Sequence, residues 1–252
     1  MSTSEQSPPI DLSDRCVLIT GAGGALGSEL ALACGKAGAS VVLLGRTISK
    51  LEACYDALEA AGAPQPAIYP LDLAGATLAD HQTLINTLYS TFGGVFSIVH
   101  CAAELGLMTP LSDYPDDVWQ KVFNSNLNGP MRLTQAGLPL LNDSGPSSVI
   151  FTLDDHTGAY WGAYGLSKAT LRTTAAMLAE ECDGQRNESG QQLVNVIAIN
   201  PGPMCTALRQ RAFPGEIPHN NPMPSVKAAQ ILQIIATPAG RNGQQLLLTD
   251  NE

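Results

Sequence analysis

A chain of 252 residues, 44% hydrophobic and 14% charged, is long enough to bury a substantial core in one large domain. Its formal net charge of −10 argues against nucleic acid or an anionic membrane as partner, because neither attracts an acidic surface. No apolar run approaches the roughly 20 residues that a membrane span requires.

The first eleven residues, rich in Ser, Pro and Gln, read as a disordered lead. They lack the basic head and apolar stretch of a secretion signal. From residue 12 onward, short aliphatic runs alternate with stretches of helical period. CVLIT (16–20) is the first expected strand and leads into a helix over 27–38. SVVLL (40–44) precedes a helix over 48–62, and AIYPL (67–71) precedes one over 77–93. FSIVH (96–100) is followed by a long helix over 116–141, with a kink expected at Pro130. SVIFT (148–152) leads to a helix over 163–182, and VNVIAI (194–199) and QLLLT (245–249) complete the strands. These runs are mostly apolar rather than alternating, as strands covered on both faces are. Repeated strand–helix alternation predicts an α/β fold: a single-domain, Rossmann-type, doubly wound parallel sheet of about seven strands, flanked by helices through right-handed crossovers.

Nothing divides the chain internally. The polar stretch 182–192 reads as an exposed loop, and the proline-rich stretch 201–224 as a lid over a site or a surface loop. Six cysteines and four histidines are scattered without metal-ligand spacing. Reduced core thiols in a cytoplasmic protein, and no metal site, are the expectation.

Thr20 to Gly27, T-G-A-G-G-A-L-G, joins a strand directly to a helix. Glycines there let backbone approach a pyrophosphate, and the helix start supplies amide donors and a positive dipole. The second strand ends in Leu44-Gly45-Arg46, with no carboxylate to accept from an adenosine ribose. Arg46 is suited to a 2′-phosphate instead, which favours NADP(H) over NAD(H); the alternative is a solvated strand-end arginine.

Tyr164 and Lys168 stand four apart at the head of a helical segment and share a face. An ammonium beside a phenol favours phenolate, making the tyrosine a usable proton donor and acceptor. Their position after the fifth strand puts them at the sheet edge where such folds bind ligands.

With these residues in place, the chain resembles the short-chain dehydrogenase/reductase family from Leu12 to Thr249, and LLGR, WGAYGLSK and INPG look most like its bacterial YciK-type oxidoreductases. The resemblance implies nucleotide contacts at Gly21, Gly23, Gly24, Leu26 and Gly27 of the turn, and an adenine contact at Asp72 and Leu73. It implies further contacts at Cys101, Ala102 and Ala103, at Tyr164 and Lys168, and at Pro201, Gly202, Met204 and Thr206 near the nicotinamide. Asn126 would help Lys168 hold a water-linked proton relay, and Lys168 would bind the ribose hydroxyls. Hydride would pass between nicotinamide and a small carbonyl or secondary alcohol, with Tyr164 handling the oxygen's proton.

Two positions depart from the family pattern. Where N-A-G follows the fourth strand, this chain has Cys101-Ala102-Ala103. The serine that holds the substrate carbonyl, about thirteen residues before the tyrosine, is absent: counting back gives Phe151. A loop shortened by about three residues puts Asp154 at that position, between Leu153 and Asp155. An ionised aspartate only accepts hydrogen bonds and repels the charge growing on a carbonyl oxygen. Asp154 could instead be protonated by burial, Thr152 or Thr157 could supply the hydroxyl, or Asp154 could bind a cationic or hydroxylated substrate. Two readings therefore stand side by side: an NADP(H)-dependent oxidoreductase, and a weak or silent dinucleotide-binding protein. The helices at 116–141 and 163–182 correspond to those that pair across a two-fold axis in similar proteins, so a homodimer or homotetramer is expected. Pocket shape is expected from 104–108, 153–160 and 201–224.

Overall fold

A computed structural model describes residues 10–143 and 146–249. Most of the expected lead, residues 1–9, lies outside them. Seven strands form one sheet in the order β3-β2-β1-β4-β5-β6-β7, every neighbouring pair parallel. They are β1 (Cys16–Thr20), β2 (Ser40–Gly45), β3 (Ala67–Pro70), β4 (Ser97–His100), β5 (Ser147–Thr152), β6 (Val194–Asn200) and β7 (Gln245–Leu247). The strand order reverses between β1 and β4. There the crossovers depart to opposite sides and leave a crevice beyond the strands' carboxyl ends.

The helices are α1 (Ala25–Lys36), α2 (Ile48–Ala60), α3 (Leu78–Phe92), α4 (Asp116–Phe123), α5 (Gly129–Asp143), α6 (Gly162–Cys182), α7 (Ala207–Ala212) and α8 (Pro224–Ala236). Two apolar layers follow from strands buried on both faces. On one side Leu18, Ile98, Val149 and Phe151 meet Leu84, Leu133 and Leu171 of α3, α5 and α6. On the other Val17, Ile19, Val41 and Ile197 meet Leu30, Leu58 and Ile231 of α1, α2 and α8.

Three local features differ from the sequence reading. The long helix over 116–141 breaks before Pro130, in a π-helical turn at Asn124–Asn128. Its signature is the Gly129 amide donating to the Asn124 carbonyl, five residues back. Pro130 has no N–H to give the Asn126 carbonyl, so the irregularity falls upstream of the ring. Second, α8 was not foreseen. Pro224 opens it at a position where the missing N–H costs nothing, and it packs on α1. Third, α7 lies inside the proline-rich stretch, where Thr206 caps it by accepting from the Arg209 amide at 3.1 Å.

Phe151 shows why counting back thirteen residues fails. Its side chain is fully buried in β5 and stacks on His100 with centroids 4.8 Å apart. It belongs to the sheet's inner layer and offers nothing to a ligand. Phe151→Ala should cost about 3–5 kcal/mol of unfolding free energy by urea denaturation; a cost below about 1 kcal/mol would contradict this packing.

Candidate active site

The crevice is a single cavity of about 600 Å³ running along the sheet's carboxyl edge, from the β1–α1 turn to the β5–α6 loop and α7. At its first end the turn is held against the sheet by backbone contact. Gly21 has φ +66°, and a Cβ there would lie 2.7 Å from the Ala102 Cα; at Gly27 it would lie 2.3 Å from the Gly21 carbonyl oxygen. Neither position admits a side chain. The Ala102 amide donates to the Thr20 hydroxyl at 3.2 Å, tying β1 to the residues after β4. The first turn of α1 carries no acidic residue, so its free amides and dipole are left for an anion.

Gly21, Gly23, Gly24, Leu26, Gly27, Asp72 and Leu73 line this half of the cavity, with Cys101, Ala102 and Ala103 at its middle. Arg46 and Lys50 line its outer end. Arg46 donates to the Glu104 carboxylate at 3.0 Å, and Lys121 stands 3.8 Å from the same oxygen. This partner of Arg46 lies 58 residues away in sequence and was not foreseen.

At the other end stand Tyr164 and Lys168, on the first turns of α6 and both almost wholly buried. The Lys168 ammonium donates to the Thr152 carbonyl at 2.7 Å and lies 6.0 Å from the Tyr164 ring centroid. Burial pushes Lys168 down to about 8, against the opposing pull of Asp154 and Cys101. The Tyr164 hydroxyl donates to Asp154 Oδ2 at 2.9 Å. Asp154 Oδ1 in turn accepts from the His156 amide at 3.1 Å and contacts His156 Nδ1 at 2.5 Å. Asp154 therefore bridges a phenol and an imidazole.

That bridge reverses the expected electrostatics of the tyrosine. Burial first, then the Asp154 charge, then the hydrogen bond to it, push the phenol above its usual value. Spacing on α6 supplies the ammonium but says nothing of the carboxylate brought across by the loop. For Asp154, burial works to raise the carboxyl, but the hydrogen bonds and charge of His156 and the Tyr164 hydroxyl outweigh it and hold the group low. With its carboxyl held low and the Tyr164 hydroxyl donating to it, Asp154 stands at the expected serine position as an acceptor. Thr152 does not substitute either: its hydroxyl donates to the His100 carbonyl at 2.7 Å. Thr157 lines a separate cavity with Tyr160 and Trp161.

Asn126 is buried in the π-helical turn and lies behind the cavity wall, while its neighbour Ser125 lines the cavity. Its side-chain oxygen accepts from the Glu104 amide at 2.7 Å, and its nitrogen donates to the Glu104 carbonyl and the Ser167 hydroxyl, each at 3.0 Å. The side chain thus clamps the strand-end backbone. Asp155 pairs with Arg172 and accepts from the side-chain amide Nδ2 of Asn200 at 2.7 Å, stitching the loop to α6 and β6. The loop is strained on its way to α6, with Tyr160 at φ +72°, a cost of about 1–2 kcal/mol for a bulky side chain.

Pro201, Gly202, Met204 and Thr206 also line the cavity, followed by 207–209 of α7. Of the expected 104–108 wall, Glu104 alone lines it; Leu105 packs instead with Trp161 and Tyr164. His156 is the residue that sequence reasoning passed over. Its signal was an Asp-x-His spacing just after a strand, which lets a carboxylate accept from the amide two residues on.

The short chain dehydrogenase model matches residues 15–217. The oxidoreductase YciK of Escherichia coli K12, itself uncharacterised, is 36% identical over 85% of this chain and 83% of its own length. A solved structure assigned to the short chain dehydrogenases, from Pseudomonas syringae, superposes with a TM-score of 0.90 at 36% identity, covering 96% of this chain and 97% of that one. Another from Escherichia coli CFT073, complexed with NADPH, gives 0.87 at 33%, covering 96% and 99%. A glycine turn at the strand-order reversal, a buried tyrosine–lysine pair at the far end of one cleft, and these matches together make the chain a member of the short-chain dehydrogenase/reductase family of oxidoreductases.

Proposed function

We propose that the chain is an NADP(H)-dependent oxidoreductase that moves hydride between the nicotinamide and the carbon of a carbonyl or secondary alcohol, or of their nitrogen counterparts. One observation carries this reading: a single cavity joins the glycine-rich turn, with no acidic residue in the helix turn that follows, to Tyr164 and Lys168. The turn and the start of α1 would hold the pyrophosphate, Asp72 and Leu73 the adenine, and Lys168 the ribose beside the nicotinamide. Pro201, Gly202, Met204 and Thr206 would close over the nicotinamide end. Bound there, the cofactor supplies a two-electron hydride donor or acceptor, and the protein supplies position and field.

Arg46 and Lys50 support NADP(H), as does the NADPH complex of the relative. The Arg46–Glu104 pair does not stand in the way. Arg46 is about half exposed there, and such pairs contribute about 0–1 kcal/mol. A 2′-phosphate offers more charge and a bidentate fit, and Glu104 keeps Lys121 nearby. The second reading, a weak or silent dinucleotide binder, draws on one observation: the group bonded to the Tyr164 hydroxyl is an acceptor, not the usual hydroxyl.

Because all six cysteines are unpaired, a reducing compartment, the cytoplasm, suits the protein. Among the described residues no helix is long and apolar enough to cross a membrane. α6 leaves Leu166 and Met177 exposed, consistent with a homodimer or homotetramer built on that helix.

Replacing Arg46 with Ala should weaken NADPH binding by about tenfold or more while leaving NADH within about twofold, read by nicotinamide fluorescence titration. Equal loss for both would refute the phosphate contact. The pH dependence follows from Lys168. Its ammonium is present below about pH 8 and lost above it, and a bound ribose favours the charged form. NADPH affinity should therefore fall from about pH 8 upward, by up to about tenfold per unit, and Lys168→Met should flatten that limb. Sedimentation velocity at micromolar concentration should show a dimer or tetramer; a lone monomer overturns the assembly.

A further inference from the structure

We propose that the reacting group of the substrate is a protonated carbon–nitrogen double bond, an iminium or protonated imine, recognised through its N–H by Asp154. The inference rests on the oxidoreductase reading above and names the substrate class of that site. It follows from an inventory of donors and acceptors at the one place where the reacting heteroatom can sit.

The Tyr164 hydroxyl has one proton, and Asp154 Oδ2 receives it at 2.9 Å. What the phenol then offers a ligand is oxygen lone pairs. Asp154 Oδ2 has a lone pair left as well, since His156 occupies Oδ1. Both residues line the cavity, and the Asp154 side chain is about a quarter exposed. Two acceptors converge where the family places two donors. A carbonyl oxygen is itself only an acceptor and meets no donor from this pair. Turning the phenol's proton toward that oxygen would leave it facing the carboxylate, just as reduction builds negative charge on it.

An N–H borne on a protonated C=N satisfies the same inventory directly. It donates to Asp154 Oδ2, and a second N–H, where present, to the phenol oxygen. The carboxylate also favours the protonated form of the C=N, the electrophilic one. Lys168 keeps one proton on the Thr152 carbonyl, and its others fall to the ribose. Asp155 is satisfied by Arg172 and Asn200, so Asp154 is the carboxylate available to the substrate.

The step balances without an acid. Hydride from the reduced nicotinamide forms a C–H bond at the iminium carbon, and the π pair of the C=N becomes the nitrogen lone pair. The nicotinamide is oxidised by two electrons, and the cation becomes a neutral amine that takes up a proton from solvent. A carbonyl reduced in the same pocket would need a proton from Tyr164, which the carboxylate holds back.

The test compares 3,4-dihydroisoquinolinium with the neutral ketone 2-tetralone, using NADPH and following nicotinamide absorbance. Wild-type kcat/KM should favour the iminium by at least about tenfold. Asp154→Ser, which supplies a hydroxyl, should raise ketone reduction by about 10²-fold or more and lower iminium reduction. Asp154→Asn, close in shape, should lose the iminium preference while melting near wild type. Independently of turnover, calorimetry on the protein alone should show 1,2,3,4-tetrahydroisoquinolinium binding that weakens by about tenfold or more in both variants. A wild-type preference for the ketone, or ammonium binding indifferent to Asp154, overturns the inference and leaves the oxidoreductase reading intact. NADPH binding with no hydride transfer to either compound, in wild type or Asp154→Ser, overturns both.

Discussion

The hydrogen bond from the Tyr164 hydroxyl to the Asp154 carboxylate is the constraint to which the rest of the site is fitted. A buried phenol beside a carboxylate keeps its proton, and a carboxylate receiving that proton stays charged; each stabilises the other's ordinary ionic form. His156 adds two contacts to the second oxygen. The charged oxygen pair is thereby satisfied from three sides in a site where an unpaired charge would be costly. Lys168, whose own charge is depressed by burial, sits one turn along the helix with its ammonium on a strand-end carbonyl. The pair that spacing suggests, phenol and ammonium, is in fact a triad with the carboxylate bonded to the phenol.

The two ends of the cavity are built from different materials, and this explains how one can change while the other holds. The nucleotide end is backbone: a glycine turn pressed on the Ala102 backbone, a helix start, and amides whose positions depend on fold rather than side chain. Replacing N-A-G by Cys101-Ala102-Ala103 leaves that surface intact, because the critical contact is to the main chain. Asn126 performs a related task from behind, fixing the Glu104 backbone through both its amide and carbonyl. The chemical end, by contrast, is made of side chains carried on a loop, where a single residue sets which proton goes where.

Legibility in the sequence divides along the same line. Apolar runs announced all seven strands, the five central ones buried on both faces, and glycine and YxxxK spacing located both ends of the cleft. What escaped depended on contacts distant in sequence or on local backbone detail. α8 begins at a proline that ends a proline-rich stretch, so its helical period was masked by its own start. The break in the long helix was credited to Pro130, but the π-helical turn precedes it, where the missing donor is felt. Asp154 could be placed by assuming a shortened loop, yet the sign of its effect on Tyr164 needed the geometry across that loop. Glu104 and Arg46, far apart in the chain, meet only once β2 and β4 flank β1.

Each end of the cavity holds a carboxylate already partnered by a cation or potential cation, and the exposure of each pair decides which adapts, protein or ligand. Arg46, about half exposed, is held to Glu104 by a bond that solvent weakens, and Lys121 stands by for Glu104. In the proposed NADP(H) complex a ligand phosphate would take the arginine, and the protein would rearrange at little cost. Asp154, about a quarter exposed, is fixed by the His156 amide, the His156 ring and the Tyr164 hydroxyl together. Displacing those contacts would leave a part-buried carboxylate short of donors, a penalty of about 1–3 kcal/mol for each lost partner. The protein does not yield at that end. Selection therefore runs from the carboxylate to the ligand: what enters beside Tyr164 must bring its own hydrogen to share.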